Sequence, residues 1–155
     1  MSPGRTGGPA APLSVLVADD DAVFSEALVD LLTVDDRYLV VGVAATGAEV
    51  RRLCRDLRPA LVLLDVRMPE GGAELARALV TSAHPPVVVA VSAQTGLRTV
   101  AAMVAGGARG YLAKGRLGAT LPDALARVVA GDRVLDVPGA EEALRLAEGR
   151  SAPGT

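Results

Sequence analysis

The chain has 155 residues, half of them apolar, and a formal net charge of −2. That is one domain's worth of protein with enough apolar material for a substantial core. The charge argues against a protein held to nucleic acid by phosphate contacts, which shows a basic surplus, and no apolar run reaches the roughly 20 residues of a membrane span.

The lone cysteine, Cys54, has no intrachain partner. With no secretory signal at the start, a reducing cytoplasm is the expected compartment. There is no Trp, one Phe (Phe24) and two Tyr (Tyr38 and Tyr111). Val, Leu and Ala must therefore pack the core, and small side chains predict helices lying close to a sheet.

Met1 to Pro12 is rich in Gly, Pro and Ala and is expected to be a disordered tail, because it cannot bury enough surface to offset its ordering entropy. LSVLVA (Leu13–Ala18) is a continuous apolar run, the pattern of a strand buried on both faces. Asp19, Asp20 and Asp21 follow it. The next segment, Ala22–Thr33, carries Val23, Ala27, Leu28, Leu31 and Leu32 at helical spacing, and one of the aspartates can cap it. Tyr38–Ala44 reads as a second strand. Thr46, with Glu49 three residues on, has the capping-box pattern for a helix through Leu57, and Pro59 ends it.

The alternation continues. Ala60–Asp65 is a third strand, followed by a helix from about Gly72 to Ala83. Pro86–Ser92 is a fourth, followed by a helix from about Gly96 to Ala105, which Gly106 and Gly107 end through a left-handed cap. Gly110–Lys114 is a fifth, followed by a helix from about Gly118 to Ala130. Strands alternating with helices imply an α/β fold: a five-stranded, doubly wound parallel sheet with right-handed crossovers and helices on both faces. The domain is expected over 13–131. Residues 132–155 are expected to form an extension or linker, in which Val134–Val137 can pack on the domain, Gly139–Glu148 is helical and Gly149–Thr155 is disordered.

In such a sheet the site forms outside the carboxyl ends of the strands. This sequence places Asp19 and Asp20, Asp65, Ser92 and Lys114 at four of those ends. Carboxylates gathered in one crevice repel unless neutralised. Mg²⁺ suits the task, since it prefers oxygen ligands and takes one or two carboxylates together with phosphate oxygens. Lys114 adds a positive charge that can pair with Asp65, and the Ser92 hydroxyl can donate to a phosphoryl oxygen. The set suits phosphoryl transfer, where catalysis is mostly positioning and charge stabilisation.

VLVADDD, LVLLDVRMP, VVVAVSA and GYLAK resemble, in order, the signature segments of bacterial two-component response-regulator receiver domains. The resemblance covers about Leu13 to Gly131. ADDD, DVRMP, GARGYLAKG and VAGDRVLD are similar to the NarL/FixJ-like branch, whose members usually continue into a helix-turn-helix. The resemblance implies a flavodoxin-like strand order 2-1-3-4-5 and phosphorylation of Asp65 by a histidine kinase. It implies Mg²⁺ held by Asp20, Asp65 and the Arg67 backbone carbonyl, with Asp19 acting mainly through a metal-bound water. Ser92 becomes a switch hydroxyl, Lys114 a phosphoryl contact, and Tyr111 an aromatic switch. It implies a phosphoacceptor that takes part in its own phosphorylation and dephosphorylation rather than an enzyme. Its outputs are a homodimer or a partner bound through a switched face, with DNA reached only through an effector domain outside this chain. One departure stands out: RMPEGGAEL is one residue shorter between Pro69 and Gly72 than is usual in the family.

Each residue also has a plainer reading. Asp19–Asp21 can be a capping cluster, Asp65 a turn residue, Ser92 an ordinary strand end, Lys114 a solvated charge and Tyr111 a space filler. His84, before Pro85, reads as a turn residue, and Cys54 as a small buried apolar group. Two other functions compete. One is a haloacid-dehalogenase-type phosphatase using Asp19 and Asp21, against which stands the lack of a late acidic pair. The other is a receiver-like interaction module that takes no phosphate, which the short loop after Asp65 keeps open.

Overall fold

The structure, a computed structural model, describes residues 11–151. Most of the expected tail at Met1–Pro12, and the last residues of the expected Gly149–Thr155 tail, lie outside that range. Chain order runs β1 (Leu13–Ala18), α1 (Ala22–Thr33), β2 (Tyr38–Ala44), α2 (Gly47–Leu57), β3 (Leu61–Leu64) and α3 (Ala73–Val80). It continues through β4 (Val87–Ser92), α4 (Leu97–Ala105), β5 (Gly110–Ala113), a 3₁₀ turn (Lys114–Arg116), α5 (Leu121–Val129), β6 (Val134–Asp136) and α6 (Ala140–Ser151).

All strand pairs are parallel, in the order β2-β1-β3-β4-β5-β6. The expected five-stranded order is present, and the sheet gains a sixth strand, so the count of five is corrected. β6 pairs in register with β5, Gly110 opposite Val134 and Leu112 opposite Asp136. A three-residue strand falls below the length at which apolar patterning identifies one. Beyond it, α6 turns back and packs on α4, burying Ala143 and Ala147. Helix α6 also runs to Ser151, past the expected helical stretch.

β1, β3, β4 and β5 are buried almost throughout, as their unbroken apolar runs require. Alternate residues feed two cores. On one face Leu16, Val62, Leu64, Val88, Ala90 and Tyr111 meet α2, α3, α4 and α6. On the other, Val15, Leu61, Leu63, Val89 and Leu112 meet α1 and α5. Each fully buried Val or Leu contributes about 1.5–3 kcal/mol relative to exposure.

One helix face differs from expectation. In α1 the buried positions are Ser25, Leu28 and Leu32, while Val23 is 79% exposed and Ala27 is exposed. Ser25 tolerates burial because its hydroxyl donates to the Ala22 carbonyl at 3.1 Å. At the end of α4, Gly107 adopts φ 110°, and a Cβ there would meet Val80 Cγ2 at 2.6 Å. Glycine there lets the α4 end approach α3 closely.

Candidate phosphoacceptor site

Register builds the crevice. Ala18 of β1 lies opposite Leu64 of β3, and the Asp65 N–H donates to the Ala18 carbonyl at 2.8 Å. Asp19 and Asp65 thus leave neighbouring strands side by side. Ser92 of β4 lies opposite Ala113 of β5, so Lys114 follows immediately beside it.

The three consecutive aspartates divide their tasks. Asp21 caps α1, its Oδ1 accepting from the Val23 and Phe24 N–H groups at 3.1 and 3.2 Å. That leaves Asp19 and Asp20 free to face the crevice. Asp19 is 3% exposed and Asp20 is exposed. Oxygen atoms of Asp19, Asp20 and Asp65 lie within 4.8 Å of one another. Lys114 Nζ stands 2.7 Å from Asp19 Oδ2 and 3.6 Å from Asp65 Oδ2. Asp19 Oδ2 is buried, and the Lys114 ammonium at 2.7 Å is the cation beside it.

The electrostatics follow from this crowding. Burial, then the neighbouring Asp19 carboxylate, push the Asp65 carboxyl above its ordinary value, and Lys114 and the Arg67 N–H counter them. Burial acts to lower Lys114, but Asp19, Asp65 and Asp21 outweigh it and hold the ammonium above its ordinary value. The crevice therefore carries an excess of negative charge that one lysine does not cancel. Hard oxygen donors, excess anionic charge and two buried carboxylates within 4.8 Å of a third together fit a divalent cation such as Mg²⁺.

Around this centre, Ser92 is fully buried, and its Oγ accepts from the Gln94 N–H at 3.0 Å. Tyr111 is also fully buried, and its hydroxyl donates to the Gln94 carbonyl. Its phenol is pushed up, first by burial and further by the Asp65 charge, while the Ser92 hydroxyl opposes the shift. The Arg67 N–H lies 3.4 Å from Asp65 Oδ1.

Three features had no signal in the sequence. The Phe24 ring centroid lies 4.3 Å from Lys114 Nζ, a cation–π contact with the ammonium. Gln94 ties Ser92 to Tyr111. The short loop after Asp65 is strapped to the start of α2: the Gly47 N–H donates to the Pro69 carbonyl at 2.8 Å, and the Ala48 N–H to Glu70 Oε1 at 3.2 Å. Glu70 pays with a left-handed backbone, φ 61°, and a Cβ on Gly47 would meet the Glu70 carbonyl oxygen at 2.0 Å. Elsewhere, Cys54 is half-buried and pushed up to about 11 by burial, the state of an unreactive thiol. Among the described residues no helix is long and apolar enough to cross a membrane.

Comparison with known proteins agrees with this geometry. Residues 15–126 match the response regulator receiver domain family, and the chain belongs to that family. It is 37% identical over 125 residues to the response regulator GacA of Pseudomonas viridiflava, covering 79% of this chain and 58% of that protein. It is 37% identical over 114 residues to a protein-glutamate methylesterase/protein-glutamine glutaminase of Myxococcus xanthus, covering 72% of this chain and 32% of that one. Its structure is similar to the signal receiver domain of the response regulator NarL from Mycobacterium tuberculosis, with TM-score 0.74 and 31% identity, covering 79% of this chain and 99% of that one. Within the family this is a receiver of the NarL/FixJ-type branch, acting in two-component signalling. The chain spans 32% to 58% of the length of the curated relatives named here. The phosphatase alternative is not favoured, and the capping role of Asp21 removes the second acid it requires.

Proposed function

We propose that Asp65 is the phosphoacceptor and that a cytoplasmic histidine kinase is the donor. An Asp65 carboxylate oxygen forms a P–O bond as the P–N bond of the donor phosphohistidine breaks, and the released imidazole takes a proton from solvent. No oxidation state changes. Asp19, Asp20, Asp65 and the Arg67 carbonyl would hold Mg²⁺, which when bound neutralises charge on the phosphoryl oxygens. Lys114 moves from its contact with Asp19 toward the transferred group, and Ser92 donates its hydroxyl hydrogen to a phosphoryl oxygen. The acyl phosphate adds charge and strong acceptors and shifts the domain between two packings. Tyr111 reports that shift to a surface that binds a second copy or a partner.

One observation carries the reading: three carboxylates have oxygens within 4.8 Å of one another, and the two buried ones, Asp19 and Asp65, share a single ammonium. Incubation with acetyl phosphate and Mg²⁺, followed by intact-mass analysis, tests it. The expected product is a single phosphoryl adduct, absent in Asp65→Ala and after chelation of the metal. An adduct that persists in Asp65→Ala, or no adduct in the unaltered chain, rejects the assignment.

A further inference from the structure

The segment after α5 meets the site through a shared core. Val137, Ala143 and Ala147 belong to the same apolar cluster as Val100, Val104 and Tyr111. Ala143 and Ala147 are four residues apart, on one face of α6, and are 1% and 3% exposed. The other face carries Glu141, Glu142, Arg145 and Glu148, all exposed. The ion pair found on α6 among the described residues, Arg145 with Glu142 at 3.0 Å, lies within the helix itself. Ala143 and Ala147, with the half-buried Leu144 between them, hold α6 to α4. A helix packed mainly on one neighbouring helix is the kind of element that opens without unfolding the domain.

Tyr111 is the largest of the fully buried side chains. Its hydroxyl and the Ser92 Oγ brace the carbonyl and the N–H of one residue, Gln94. The packing that buries Tyr111 thus also fixes Ser92 at the crevice wall. A continuous set of contacts runs from the Asp65 crevice through Ser92, Gln94 and Tyr111 into the cluster that α6 caps.

We propose that α6 is a latch on this switch: docked on α4, it holds Tyr111 buried, and phosphorylation of Asp65 tightens the latch. The reason is shared packing. A phosphoryl oxygen on Asp65 is an acceptor for Ser92 and favours the arrangement in which Ser92 is held by Gln94. That arrangement is the one in which Tyr111 is buried in the apolar cluster that α4 and α6 share. Coupling between two sites is reciprocal in free energy, so loosening α6 must lower the affinity of the switch for its phosphorylated form by the same factor. The inference rests on Asp65 being the phosphoacceptor.

The test uses the whole chain. Amide hydrogen exchange across residues 140–147 is measured with Mg²⁺, with and without acetyl phosphate, alongside intact mass. The expected result is exchange slowed about fivefold or more in the phosphorylated chain, within the usual range of allosteric coupling. Tyr38→Phe leaves Tyr111 as the only tyrosine in a chain without tryptophan, so iodide quenching of its fluorescence reads its burial. In that background Ala147→Glu is expected to free α6, expose Tyr111 to iodide and lower the ratio of phosphorylated to unphosphorylated protein by the factor seen in exchange. An adduct with unchanged or faster exchange at 140–147 overturns the latch and leaves the phosphoacceptor assignment standing. So does a freed α6 with Tyr111 still shielded. No adduct at all overturns both. If Ala147→Glu fails to fold, the exchange comparison on the unaltered helix decides alone.

Discussion

The two faces of the sheet are built from different materials. The buried residues against α1 and α5 are Leu, Val and Tyr38, with no alanine among them. The face against α2, α3, α4 and α6 buries Ala18, Ala44, Ala76, Ala90, Ala101, Ala108, Ala113, Ala143 and Ala147, together with Tyr111. Large branched side chains interdigitate and fix their helices. Alanines bring helices close while offering little to lock them. The first face, Leu and Val apart from Tyr38, is the scaffold; the second, where nine alanines stand among Leu, Val and Met, also buries Tyr111.

The contrast can be broken most directly on the scaffold side. Leu125 is fully buried, and Leu125→Ala is expected to destabilise the fold by about 2–5 kcal/mol, through lost burial and a residual cavity. Urea unfolding followed by circular dichroism measures it, and a loss below about 1 kcal/mol would deny the scaffold its rigidity. On the alanine face the opposite change is the informative one. Ala101 is fully buried, and Ala101→Leu is expected to cost about 1–3 kcal/mol by forcing α4 outward. No cost would mean that the face is loosely packed rather than close.

Smaller effects sharpen the comparison. Phe24 packs on the scaffold face and reaches the crevice through Lys114. Phe24→Leu removes a contact worth about 0.5–1 kcal/mol and is expected to slow phosphorylation a few-fold with little change in stability; stopped acetyl phosphate reactions read by mass would show it. A pH-dependent effect concerns Cys54, packed against the alanine face. Its folded value, about 11, lies above the ordinary thiol value near 9. The protonated thiol therefore stabilises the fold fully below about pH 9, and this contribution fades as pH rises through 11. Urea midpoints at pH 8 and pH 10.5 are expected to fall further for the native chain than for Cys54→Ala.

Much of this was readable before any coordinates. The strands announce themselves because parallel strands covered on both sides need unbroken apolar runs, and the strand ends then name Asp19, Asp65, Ser92 and Lys114. Their register could not be read, yet the pairing of Ala18 with Leu64 and Ser92 with Ala113 is what makes neighbours of them. In α1 the expected Leu28 and Leu32 are buried but Val23 and Ala27 are not, because Ala22–Thr33 is apolar on most sides and periodicity alone does not fix which apolar residues turn inward. β6 went unseen as a strand because its existence depends on the free edge of β5, a partner distant in the chain.

That short strand also decides what the sheet shows to other molecules. Without it, the sheet would end on β5, whose four residues are all buried, leaving their backbone groups as a template for another chain. Val134–Asp136 instead ends it in a stub of three residues, with Asp136 held by Arg116 at 3.1 Å. The opposite margin is longer: β2 has seven residues, with Leu39 and Val43 about half exposed. Should copies of this protein zip together while refolding at high concentration, that far margin is where the seam would form.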